Sequence, residues 1–76
     1  METPDYTQTE LDISDMELTE LPDDLYLYPH LQILKCYENN LTQCDNLPQS
    51  LKILECWYNK ITQLDNLPPN IKKLDC

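Results

Sequence analysis

Glycine is missing from the 76 residues, and so is arginine, because all five basic side chains are lysine. Without Gly, left-handed backbone falls to Asn and Asp, which tolerate it better than other residues carrying a side chain. The pairs Asn39-Asn40, Asp45-Asn46 and Asp65-Asn66, together with Pro68-Pro69, are therefore the expected turn makers. Without Arg, and with 14 acids against five lysines, the chain lacks the clustered cations that phosphate contacts need. Nucleic acid and anionic membrane surfaces are excluded as expected partners. No apolar run is long enough to span a bilayer, and the N-terminus METPDYTQTELD lacks the basic and apolar regions of an export signal. Histidine occurs once, at His30, and Ser14 and Ser50 stand alone. With no phosphate loop, metalloprotease motif or nucleophile elbow, the sequence offers no catalytic constellation, so neither an enzyme nor a cofactor is expected.

The charge that is present is unevenly placed. Residues 1–24 hold nine acids and no base, whereas residues 25–76 balance five acids against five lysines. Such an acidic face serves solubility or meets a basic partner. At this length a single core gives only marginal stability, so one domain is the most the chain can form.

What is abundant is repetition. LQILKCYENNLT at 31–42 is answered by LKILECWYNKIT at 51–62, with Leu31, Ile33, Leu34, Cys36, Asn39 and Thr42 recurring 20 residues later. CDNLPQS at 44–50 is matched by LDNLPPN at 64–70, and IKKLDC at 71–76 opens another copy. Alternation sends Leu34 and Cys36, or Leu54 and Cys56, to one face, and Ile33, Lys35 and Tyr37, or Ile53, Glu55 and Trp57, to the other. Each copy thus begins as a short strand with one buried face. Asn39 or Asn59 bonds to neighbouring backbone where the chain leaves the strand, and Leu41 or Ile61 turns back inward. The stretch before each Pro stays extended or in turns, since the residue preceding Pro is kept out of the helical region. One copy cannot bury its apolar side alone; stacked copies with parallel strands about 4.8 Å apart can.

Residues 31–41 (LQILKCYENNL) and 51–61 (LKILECWYNKI) fit the pattern L-x-x-L-x-L-x-x-N/C-x-L, with Cys36 and Cys56 in the third apolar slot. In this the chain resembles the leucine-rich repeat family. Its 20-residue repeats and trailing Leu-Pro are similar to those of bacterial effectors, and Cys in that slot with Asn-Leu-Pro is similar to repeat proteins of large DNA viruses of amoebae. The resemblance implies an α/β-type leucine-rich repeat solenoid, with short parallel β-strands on a concave face and a mostly extended or turn convex side with little helix. It implies an acidic N-terminal segment at 1–10 and a repeat domain at 11–76, made of a degenerate repeat 11–30, repeats 31–50 and 51–70 and a partial repeat 71–76. The degenerate copy, LDISDMELTEL, carries Leu11, Ile13, Leu18 and Leu21 in the apolar slots and Met16 where Asn is expected; its extra residues near Leu25 and Leu27 suit a short helical turn. The setting implied is intracellular: cytoplasm, host cytoplasm or virion.

Cys36, Cys56 and Cys76 recur every 20 residues, and Cys44 takes a slot held elsewhere by Leu. Zinc sites bring close pairs that are missing here, so buried free thiols stacked as small hydrophobes are expected, with a thiol metal or redox site as the alternative. The outward columns carry the functional expectation. They run Glu10, Ile33, Ile53, Lys73; then Asp12, Lys35, Glu55, Asp75; then Ser14, Tyr37, Trp57, with Asp15, Glu38 and Tyr58 just beyond. Ile33, Tyr37, Ile53, Trp57 and Tyr58, with Lys35 and Glu55, form the expected protein-binding surface, since Trp and Tyr concentrate at interface hot spots. The competing reading is that aromatics simply suit strand surfaces and that Lys35 and Glu55 form an ordinary cross-strand pair. The fourth strand is expected to stack on further repeats or on another chain, as an open edge over an apolar core invites pairing.

Overall fold

The structure, a computed structural model, describes residues 5–64 and 66–76. Four three-residue strands, β1 (Glu10–Asp12), β2 (Ile33–Lys35), β3 (Ile53–Glu55) and β4 (Lys73–Asp75), form one sheet in chain order. All three pairings are parallel. The register follows the repeat: Ile33 pairs with Ile53 and Ile53 with Lys73, while Glu10 pairs with Ile33 across the longer first step. Parallel strands need long crossovers, here supplied by turn and extended segments with one 3₁₀ turn, Leu25–Leu27, where the sequence suggested helical structure.

Alternation decides what is buried. Leu34 and Leu54 at the strand centres are fully covered, and so are Leu31, Leu41, Leu51, Cys36 and Cys56. Leu25, Tyr28, Cys44 and Leu47 close the opposite side of this core, and Leu11, Leu18, Leu21, Ile61, Leu64, Leu67 and Ile71 pack partly buried around it. Burial is deepest in the two middle repeats and fades at β4, where Leu74 is 41% exposed although it occupies the slot of Leu34 and Leu54. The boundary at residue 10 falls on the first residue of β1, and Tyr6 ahead of it packs edge-on against Tyr28 and donates to the Asp24 carboxylate.

The Asn positions fasten one rung to the one before. The Asn39 side-chain oxygen accepts from the Met16 and Leu18 backbone N–H groups, 3.0 Å each, and its amide nitrogen donates to the carbonyls of Ile13, Cys36 and Tyr37. Asn59 repeats the arrangement one rung on, accepting from the Leu41 N–H and donating to the carbonyls of Cys36, Cys56 and Trp57. Asn39 is only 7% exposed, so each of these bonds replaces one that water would otherwise make. Met16, in the slot where Asn was expected, is 56% exposed and contributes its backbone rather than its side chain to this network.

One expectation is corrected. Left-handed backbone does occur at Asn46 and Asn66, as the missing glycine required, but also at Asp15, Glu17, Glu38 and Tyr58, and not at Asn39 or Asn40. The Asn39 side chain is committed to the rung below, which leaves the sharp turn to the residue before it. Asp65 lies outside the described residues. Among the thiols, Cys56 and Cys76 meet across neighbouring rungs with Cα atoms 4.7 Å apart, within reach of a disulfide, while Cys36 and Cys44 are free and buried. Parallel rungs bring equivalent side chains to within the Cα separation that disulfides use.

Candidate interaction surface

The sheet face away from the core carries the residues singled out in the sequence, and the structure brings them together. Ile33 and Ile53 are direct register partners, half-buried side by side at the head of β2 and β3. Beyond the strands the rungs keep pace, because the Glu38 N–H donates to the Trp57 carbonyl at 3.0 Å and the Asp15 N–H to the Tyr37 carbonyl at 3.1 Å. Tyr37 and Trp57 therefore stack nearly flat, ring centroids 4.2 Å apart and planes 3° from parallel. Tyr58 stands across Trp57 at 5.1 Å and 74°, an edge-to-face contact. Such pairs are worth about 0.5–1.5 kcal/mol beyond their area burial.

Tyr58 is 76% exposed and sits at φ 54°, a conformation that costs a residue with a Cβ about 1–2 kcal/mol. An exposed aromatic held in left-handed backbone has no role in the core to account for it. The equivalent rim positions, Asp15 and Glu38, share the conformation and are also exposed, so the backbone shape belongs to the repeat while the aromatic side chain is peculiar to this rung.

The electrostatics differ from the sequence expectation at one pair. Lys35 and Glu55 are register neighbours, yet the Lys35 ammonium turns the other way and pairs with Glu10 at 3.3 Å. The hydrogen bond to Glu10, with its charge, holds the Lys35 pKa above the ordinary lysine value. Among the described residues this is the one ion pair; Glu55, whose charge also helps to raise the Lys35 pKa, has Asp75 as its register partner on β4. The Ser14 hydroxyl and backbone N–H, both donating to Asp12, lower that carboxyl below the usual range. Asp75 and Glu10 were placed in the outward columns by the period but not among the expected binding residues; the 20-residue spacing from Glu55 was the signal available for Asp75.

The buried thiols form a separate cluster on the core side. Interaction with the Cys44 thiol, together with burial, pushes the Cys36 pKa above the ordinary thiol value, while the same interaction lowers that of Cys44 and makes it the first of the pair to ionise. Among the described residues no group of three or more His, Cys, Asp or Glu side chains is arranged to hold a metal ion. An open cleft of about 340 Å³ lies at the β4 end, lined by Cys56, Tyr58, Asn59, Ile61, Leu64 and Cys76 among others. Among the described residues no helix is long and apolar enough to cross a membrane.

Compared with known proteins, the chain matches no family model, no curated protein and no solved structure.

Proposed function

We propose that the chain is a non-enzymatic protein-interaction module of the leucine-rich repeat kind, a short intracellular solenoid that binds a protein segment through its concave strand face without a cofactor. The observation that carries this reading is the Tyr37, Trp57 and Tyr58 cluster beside Ile33 and Ile53 on the sheet face opposite the core. Large aromatics that become desolvated on binding contribute on the order of 2 kcal/mol each, so two suffice to dominate an interface of this size. The test is selection of displayed random 12-residue peptides against the 76-residue chain, followed by rebinding to Tyr37→Ala/Trp57→Ala. Peptides that lose the double variant while it keeps its far-UV circular dichroism are the expected result. Peptides that bind both proteins alike remove the assignment.

A second reading, a structural component that stacks on another chain through its last rung, is supported by the exposed Leu74 on the open edge of β4 and by the cleft beside it. Leu74→Lys should then abolish concentration-dependent association in light scattering, and an association that survives the change discards it.

A further inference from the structure

The concave-face reading leaves open what kind of segment the face takes, and the charges around Trp57 narrow it. Glu55 and Asp75 are direct partners in the parallel register of β3 and β4. Like charges placed directly opposite in a sheet are destabilising, and nothing in the core requires them. Lys35, the one ammonium beside Glu55 in register, is held by Glu10 at 3.3 Å instead. On the strand columns of this face four carboxylates, Glu10, Asp12, Glu55 and Asp75, stand against two ammonium groups, Lys35 and Lys73, and the rim adds Asp15 and Glu38.

The aromatic side of the same corner is suited to a cation as well. Tyr37 covers one face of the Trp57 indole at 4.2 Å, and Tyr58 stands nearly perpendicular to it at 5.1 Å, so Trp57 and Tyr58, which follow Glu55 on the same rung, bring aromatic surface to the end of the strand that carries this carboxylate. Indole is the best of the aromatic partners for a guanidinium or ammonium within about 6 Å of the ring. Arginine fits both halves at once, since its planar fork donates to two carboxylates while its plane lies on an aromatic face.

We propose that the face docks an extended, arginine-bearing segment of a partner protein, with one guanidinium set between the Glu55 and Asp75 carboxylates and the Trp57–Tyr58 corner. The proposal rests on the concave-face reading and adds the chemistry of the occupant. It attributes to the ligand a cation that pairs with both Glu55 and Asp75, and it gives the aromatic side chain at the left-handed Tyr58 position a role.

The test compares three variants of the chain in the peptide selection: Glu55→Gln/Asp75→Asn, Trp57→Leu and Tyr58→Asn. The first removes the like-charge pair and the third relieves φ 54°, so both should keep or raise their unfolding temperature, which separates lost binding from lost fold. The expected result is a set of Arg-containing peptides whose affinity falls by about tenfold or more with Glu55→Gln/Asp75→Asn, the size of one charge-assisted hydrogen bond, and by about threefold or more with Trp57→Leu or Tyr58→Asn, the size of a cation–π contact. Peptides that need Trp57 but are neutral or acidic, and bind Glu55→Gln/Asp75→Asn unchanged, overturn the arginine assignment and leave the concave-face reading standing. Arg-containing peptides that need the carboxylates but are indifferent to Trp57→Leu and Tyr58→Asn reduce the effect to general charge attraction and overturn the docking corner. Recovery of no peptide that depends on any of these residues overturns both readings.

Discussion

Asn39 and Asn59 occupy the same slot in successive repeats, and the structure makes their replacements unequal. Asn39→Ala leaves the Met16 and Leu18 N–H groups without an acceptor and the Ile13, Cys36 and Tyr37 carbonyls without that donor, at a site only 7% exposed. With about 1–3 kcal/mol for each buried polar group left unmade, and water reaching some of them, the expected cost is about 3–5 kcal/mol. A chain of this length has a total stability of roughly 4–11 kcal/mol, so Asn39→Ala should remove from about a quarter of it to all of it at 25 °C. Asn59 accepts from one N–H and is half-buried, so Asn59→Ala should cost about 1–3 kcal/mol. Urea unfolding followed by circular dichroism measures both. Asn39→Asp provides a second arm: it keeps an acceptor for Met16 and Leu18 but aims a carboxylate oxygen at the three carbonyls. Its pKa should rise on folding, and stability lost at neutral pH should return as pH falls and the side chain is protonated. An Asn39→Ala loss below about 1 kcal/mol, or a larger loss at Asn59, would refute the view that the Asn side chains tie the rungs together.

Three further outcomes follow from particular residues. Glu38→Asn, at φ 53° on the exposed rim, should gain about 0.5–1 kcal/mol in urea unfolding because Asn suits left-handed backbone; a loss would mean that the turn carries no strain there. The lowered Asp12 carboxyl contributes stability that is present above its unfolded value near ~3.9 and is lost as pH falls through the folded value. Ser14→Ala should therefore destabilise the chain at pH 7 and make no difference at pH 2, and a deficit that persists at pH 2 would contradict the pairing. Alkylation of the oxidised chain should modify neither Cys36 nor Cys44 while it is folded, two thiols after unfolding without reductant, and four after reduction, read by mass; four without reductant would rule out a Cys56–Cys76 bond.

The parts of the surface that were legible in the sequence are those fixed by spacing. Ile33 beside Ile53, and Tyr37 beside Trp57, follow from one period and one alternation. The partner of Lys35 was not legible, because its register neighbours are Asp12 and Glu55, yet its ammonium reaches diagonally to Glu10, the register partner of Ile33, and a rotamer decides that choice. The turn positions were legible in part: Asn46 and Asn66 take left-handed backbone as expected, and the departure is at the bend after each strand. Composition pointed to Asn39, but a side chain that bonds in two directions fixes its own backbone, and the left-handed step moved to Glu38 and Tyr58, residue types that carry no turn signal.

By itself the sequence determined the in-register parallel sheet, the inward positions of Leu34, Cys36, Leu54 and Cys56 and the outward columns, because a side-chain period of two inside a repeat of 20 leaves a residue only one face and one neighbour. Only the tertiary structure decided which thiols meet, which acid holds Lys35, how the Asn39 amide is shared with the rung below and how exposed Leu74 is left at the end of the sheet. Those outcomes depend on distances and competing partners across rungs, which spacing along the chain does not encode.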